Sequence, residues 1–170
     1  YITNVPGRCY AFIGETRTVP QGHDDSRPAP PPGVAPTVDA LPPSPRPIGR
    51  EQVISQIGEL LAREQLVSIV GAGGMGKTTV ALAVAEGLGA RYSHGVFFVD
   101  LSRLSDPAHV AAELGLTQGL IVPPGAPTAM LEFALRDRHL LFVIDNCEHL
   151  IDDVAGLADR LIQSCPAVHF

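Results

Sequence analysis

The residues Gly71-Ala72-Gly73-Gly74-Met75-Gly76-Lys77-Thr78 follow the spacing G-x-x-x-x-G-K-[ST], a pattern suited to holding a chain of phosphate groups. Glycines let the backbone wrap closely enough for successive N–H groups to converge on one phosphate. A helix starting at this point adds the partial positive charge of its N-terminus. The Lys77 ammonium is then placed to reach the β- and γ-phosphates, and the Thr78 hydroxyl to ligate Mg²⁺. Thr79 continues the same turn and completes a cofactor-binding set of Gly71, Ala72, Gly73, Gly74, Met75, Gly76, Lys77, Thr78 and Thr79. A glycine-rich turn with no ligand would require neither the lysine nor the threonine for its packing.

A phosphate site of this kind needs a second group to hold magnesium. The apolar run Leu140-Leu141-Phe142-Val143-Ile144 ends in Asp145, which suits the Walker B role at the carboxyl end of a parallel strand. The plainer alternative makes Asp145 an N-cap for the following helix. GTPases usually carry glycine three residues after this aspartate, whereas this chain has Glu148, so guanine specificity is disfavoured. In the P-loop branch with an added strand between loop and Walker B strand, hydrolysis uses an acid on or near that strand. Here Asn146 follows Asp145, and Glu148 is the nearest group to orient or deprotonate water. Glu148 reads equally as a solvated first-turn residue of the next helix. Lys77, Asp145 and Glu148 are therefore the catalytic candidates, and a slow nucleotide switch fits as well as an active hydrolase.

Elements that would position these groups begin at Ile48. From there helical and strand patterns alternate, as expected for an α/β domain with a parallel sheet and crossover helices. Val53, Ile54, Ile57, Leu60 and Leu61 recur at helical spacing, and Leu66 to Val70 is a short apolar run typical of a buried strand. A helix is expected over Lys77 to Leu88 with Gly89 at its end, then a strand over Gly95 to Leu101. Asp106-Pro107 offers an N-cap and a first-turn proline for a short helix stopped by Gly115. Met130 to Arg138 reads as helix, Leu140 to Asp145 as strand, Leu150 to Gln163 as amphipathic helix, and Ala167 to Phe170 as the start of a fourth strand. The sheet is thus expected to be incomplete, a fold of 47–170 that is the N-terminal part of a P-loop NTPase domain.

The preceding residues differ in kind. Tyr1 to Ile13 alternates apolar and polar positions around Val5-Pro6-Gly7-Arg8, a hairpin pattern assigned to 1–14. Two strands alone bury too little to stand in water, so this hairpin should need a partner upstream. Residues 15–46 hold most of the chain's 16 prolines and no apolar period. That composition gives an extended polyproline-II linker, read as a spacer in preference to an SH3-type ligand. The net charge of -6 argues against nonspecific attraction to nucleic acid or anionic membrane, so any DNA contact must come from a motif. The three cysteines show no paired spacing and read as reduced thiols, and no apolar run is long enough to span a bilayer. The cytoplasm is the expected compartment. The chain starts at Tyr1 and stops at Phe170, and it reads as a piece of something longer.

Ile48-Gly49-Arg50-Glu51, the glycine-rich loop, and Val143-Ile144-Asp145-Asn146-Cys147-Glu148-His149-Leu150 together resemble the signal-transducing STAND ATPases, relatives of the NB-ARC and apoptotic ATPases. The resemblance implies ATP or ADP with Mg²⁺ as cofactor and assigns Gly49 and Arg50 to the nucleotide site; ordinary helix-start charge is the alternative for Arg50-Glu51. It also implies a downstream sensor domain, and a nucleotide-dependent oligomer remains open. Tyr1-Ile2-Thr3-Asn4-Val5-Pro6-Gly7-Arg8-Cys9-Tyr10-Ala11-Phe12 resembles the last hairpin of an OmpR-type winged-helix DNA-binding domain, with Asn4 and Cys9 departing from the usual threonine and glycine. That resemblance implies DNA as partner through an upstream recognition helix, with Arg8 as the wing residue toward phosphate or minor groove. The resulting expectation is an ATP/ADP-binding switch in a winged-helix transcriptional regulator. The alternative is a P-loop enzyme, an ATPase or small-molecule kinase, with no DNA-binding role.

Overall fold

The computed structural model describes residues 41–43, 45, 47–121 and 127–170. The hairpin expected in 1–14, with Arg8, and all of the linker but 41–43 and 45 lie outside the described residues. Helices and strands alternate from Glu51 on: α1 (Glu51–Leu61), α2 (Lys77–Leu88), β1 (Val96–Asp100), α3 (Val110–Thr117), α4 (Pro127–Leu135), β2 (Leu140–Asp145), α5 (Ile151–Ser164) and β3 (Val168–His169). The strands form a parallel sheet in the order β1-β2-β3, with Val96 opposite Leu141, Asp100 opposite Asp145 and Leu140 opposite Val168. This is the α/β class expected from the alternating pattern.

Side chains of β2 alternate between two cores, as the period of a strand requires. Leu140 and Phe142 join α3, α4 and α5 through Leu114, Leu131 and Leu161. Leu141 joins the opposite core with Ile57 and Leu61 of α1 and Val80, Val84 and Ala85 of α2. A strand covered on both faces reads as one continuous apolar run, which explains the sequence of β2.

The expected strand at 66–70 is extended but does not form a regular ladder. Val67 N–H donates to Phe170 O at 3.0 Å, and Phe170 N–H donates to Gln65 O at 2.6 Å. The Gln65 side chain adds bonds to Val168 O (3.0 Å) and Pro166 O (3.1 Å), fastening the start of this segment to β3. The segment therefore runs on the far side of β3 from β2, and its later residues have no strand beside them among the described residues.

Several boundaries differ from those expected. α3 passes through Gly115, which is buried, and ends at Thr117. The stop is Gly119 at φ 69, where Gly119 N–H bonds Leu116 O and Leu120 N–H bonds Gly115 O, both at 3.0 Å. This is the helix-ending pattern that demands a left-handed residue. Gly89 is the C-cap of α2 as expected, although with a right-handed φ of -50 that carries the chain into a 3-10 turn, Gly89–Arg91. α4 starts three residues before Met130, at Pro127, and ends at Leu135. Asp106 does cap as expected, its carboxylate accepting Ala108 N–H, but it opens a 3-10 turn that leads into α3. α5 follows a 3-10 turn, Glu148–Leu150. Among the described residues no helix is long and apolar enough to cross a membrane, and Cys147 and Cys165 are free thiols.

Candidate nucleotide site

The loop 71–76 leaves the carboxyl end of the extended segment and turns into α2. Gly74 at φ 74 and Gly76 at φ 79 take left-handed backbone, and beyond the adjoining residues no heavy atom lies within 4 Å of where a Cβ would stand on either or on Gly73. The loop is thus an open cradle of main chain. α2 has Gly76 as N-cap with no side-chain cap, so its first N–H groups are left for an anion. Lys77 folds its ammonium over the loop, donating to Gly71 O at 3.0 Å and Ala72 O at 3.3 Å. A positive charge therefore stands at the loop's entrance, held by carbonyls that a phosphate can replace.

The Thr78 hydroxyl donates to Asp145 Oδ2 at 2.7 Å. This bond joins the first turn of α2 to the end of β2. Asp145 turns its carboxylate toward Thr78, and the 3-10 turn after it begins with Cys147 as cap and no side-chain capping bond. Two hard oxygen donors side by side next to a phosphate cradle suit Mg²⁺. Thr78 and Asp145 would hold the ion, which would supply charge neutralisation for the phosphates; its other ligands would be phosphate oxygens and water.

The remaining expected residues are placed as follows. Ala72, Gly73 and Met75 are exposed in the loop, and Thr79 is half-buried in the first turn of α2. Glu148 is exposed at the head of its 3-10 turn and lines the same cavity as Lys77 and Asp145. Gly49 at φ 70 precedes Arg50, the half-buried N-cap of α1, and Gly49 N–H bonds Glu51 Oε1 at 3.3 Å. No hydrogen bond or ion pair joins Gly49 or Arg50 to 71–79 among the described residues.

The cavity measures about 430 Å³ and opens between 66–71 and β2. Its mouth carries Lys77, Asp145, Asn146 and Glu148, while its depth is apolar, with Val84, Phe142 and Phe170.

One functional candidate was not singled out from the sequence. Asp100, at the end of β1, lies opposite Asp145 in register. Its Oδ1 accepts Asn146 Nδ2 at 2.8 Å and Ser102 N–H at 2.9 Å. These bonds, that from Asn146 foremost, hold the Asp100 carboxyl below its usual range. Asn146 has a left-handed φ of 54, which asparagine tolerates better than most residues. The signal was present: Val96-Phe97-Phe98-Val99-Asp100 and Phe142-Val143-Ile144-Asp145 both end an apolar run in aspartate. Next door, burial pushes the Cys147 thiol up, so it is a poor nucleophile at neutral pH.

A glycine cradle opening a helix, a lysine over it and a threonine bonded to an aspartate at the edge of a parallel sheet define a P-loop α/β domain. Residues 60–166 match the family model described as AAA domain, and the chain belongs to that family. Among curated proteins it is similar to Uncharacterized protein Rv0894 of Mycobacterium tuberculosis, 32% identical over 120 residues, which cover 70% of this chain and 30% of that protein. It is also similar to Rv0890c of the same organism, a protein provisionally named an HTH-type transcriptional regulator, 40% identical over 108 residues, covering 63% of this chain and 12% of that protein. The chain thus spans less than a third of the length of the curated relatives it matches. No solved structure matches it.

Proposed function

We propose that this chain is the ATP/ADP-binding switch module of a signal-responsive winged-helix transcriptional regulator working in the cytoplasm. The observation that carries the nucleotide part is the 2.7 Å bond from Thr78 to Asp145, with the Lys77 ammonium over an open glycine loop. In this reading residues 71–79 wrap the phosphates, Thr78 and Asp145 hold Mg²⁺, and Gly49 and Arg50 help hold the adenine nucleotide. Glu148 orients water, and Arg8 meets DNA at the wing of an upstream winged helix. Asn146, a neutral amide where an acid would promote hydrolysis, supports a slow switch over a vigorous ATPase. The regulator part is supported by 40% identity to the Mycobacterium tuberculosis protein named for HTH-type regulation and by the resemblance of the sequence of residues 1–12 to the last hairpin of a winged-helix domain. The resemblance to STAND ATPases adds a downstream sensor, with bound nucleotide biasing two arrangements of the module.

A titration of the full-length protein with fluorescent ATP and ADP, in Mg²⁺ and in EDTA, tests this reading. The expected result is Mg²⁺-dependent binding weakened about 100-fold in Lys77→Ala, the effect of losing roughly 3 kcal/mol of charge-assisted bonds to phosphate. Failure of the wild type to bind either nucleotide, or equal binding by the variant, overturns it. Footprinting on DNA separates a regulator from an ordinary P-loop enzyme, which would turn over ATP rapidly and protect no site.

A further inference from the structure

β1 and β2 each end in aspartate, and their parallel register sets Asp100 directly opposite Asp145. The two carboxylates have different partners. Asp145 accepts the Thr78 hydroxyl, whereas Asp100 accepts the side-chain amide of Asn146 and the backbone of Ser102. Asn146 immediately follows Asp145, holds a left-handed backbone, and lines the same cavity as Lys77. Asp100 takes one N–H of its amide. The second N–H and the amide oxygen make no hydrogen bond among the described residues.

A phosphate oxygen needs donors, and a carboxylate at position 146 would repel it where an amide can donate. An asparagine amide free to rotate would present its oxygen as readily as its nitrogen. The bond from Asn146 Nδ2 to Asp100 removes that ambiguity, because a carboxylate accepts from the NH₂ group and not from the amide oxygen. It also ties down the backbone turn that places residue 146 beside Asp145.

We propose that Asp100 is a positioning residue that acts through Asn146 to recognise the terminal phosphate, so that the site distinguishes a nucleoside triphosphate from a diphosphate. This inference rests on the nucleotide reading of the site given above. Asp100 itself touches no nucleotide; its task is to fix the nitrogen of Asn146 so that the remaining N–H serves the γ-phosphate.

The test compares affinities of the full-length protein for Mg-ADP and for the Mg²⁺ complex of β,γ-imido-ATP, which requires no turnover. Asp100→Ala is expected to weaken the triphosphate analogue about tenfold, the effect of one hydrogen bond to a charged group, and to leave Mg-ADP within about twofold. Asp100→Asn keeps an oxygen able to accept both bonds and should retain most of the preference. Asn146→Ala should lose as much as Asp100→Ala, and the double variant no more than Asn146→Ala alone, because the two residues act in series. An unchanged triphosphate preference in Asp100→Ala, an equal loss for both nucleotides, or additive losses in the double variant overturns the inference while the nucleotide reading stands. A wild type that binds neither nucleotide overturns both.

Discussion

Replacing Thr78 by valine removes one hydroxyl and keeps the branched shape, so it isolates the contact between α2 and the end of β2. In the free protein that hydroxyl donates to Asp145 at 2.7 Å, and both residues are half-buried. A hydrogen bond to a charged acceptor contributes about 1.5–3 kcal/mol at full strength. Water can partly replace this donor, so a stability loss nearer to about 1 kcal/mol is expected. In a chain of this length that lowers the thermal midpoint by about 3 °C. With nucleotide bound, the same oxygen would be a magnesium ligand, and its proton would keep Asp145 turned toward the ion. Losing both should weaken the Mg²⁺-dependent part of binding by about 2 kcal/mol, or roughly 30-fold. The Mg²⁺-independent part, which rests on loop N–H groups and Lys77, should stay within about twofold. ADP titrations in magnesium and in EDTA separate the two. Full magnesium enhancement in Thr78→Val would refute the assignment of this pair to the cation. An equal loss with and without magnesium would show that the hydroxyl serves only the shape of the loop.

Gly74→Ala and Gly76→Ala each place a Cβ on left-handed backbone, at φ 74 and 79; each should cost about 1–2 kcal/mol in chemical denaturation, although the surrounding space is open. Phe142→Ala empties a fully buried site stacked on Phe170 at 5.7 Å and should cost about 3–5 kcal/mol, read as a large fall in the urea midpoint. His169 is half-buried and bonded to the Tyr92 hydroxyl, and burial first, then His139, holds its pKa below the usual value. The folded state therefore takes up this proton less readily than the unfolded chain. Stability should fall as pH drops through the ordinary histidine value of about 6.5 toward the lower folded one, and be unaffected by this group above that window. Urea melts between about pH 5 and 8 should show a shallower slope in His169→Gln; identical slopes would rule the group out.

Where one residue type has few uses, the sequence was easy to read. Lys77 and Thr78 after a glycine loop pointed to phosphate, Asp145 was open to a magnesium or an N-cap reading, and the structure brings Thr78 and Asp145 within a hydrogen bond. β2 was legible because burial on both faces leaves no polar position before its last residue, Asp145. Boundaries were less so. Gly115 was expected to stop its helix, and only the carbonyls that Gly119 and Leu120 reach place the stop at Gly119. The segment 66–70 has the composition of a strand, yet a strand is defined by its neighbours, and here only its start is paired. Asp100 was missed for a related reason: its place opposite Asp145 comes from register with β2, which a single sequence does not display. Gly49 and Arg50 owe their assignment to resemblance, and no contact in the structure ties them to the loop.

Parallel strands explain why the chemistry gathers where it does. Each strand, and the extended segment that leads to residues 71–76, delivers its carboxyl end to the same edge, so an aspartate closing one strand must meet an aspartate closing its neighbour. Strands about 4.8 Å apart would leave Asp100 and Asp145 as repelling near neighbours if both carboxylates faced the same space. Separate donors remove the conflict: Thr78 draws Asp145 toward α2, and Asn146 with Ser102 holds Asp100 on the outer strand. His139 and His169 gather at the other edge. His139 precedes β2 and packs with Tyr92, which also bonds His169 near the amino ends of the strands. Protonation there acts on the fold from the side opposite the loop 71–76. The pH dependence of stability and the magnesium dependence of binding should therefore vary independently: His169→Gln should change the first and leave the second as it is in the wild type.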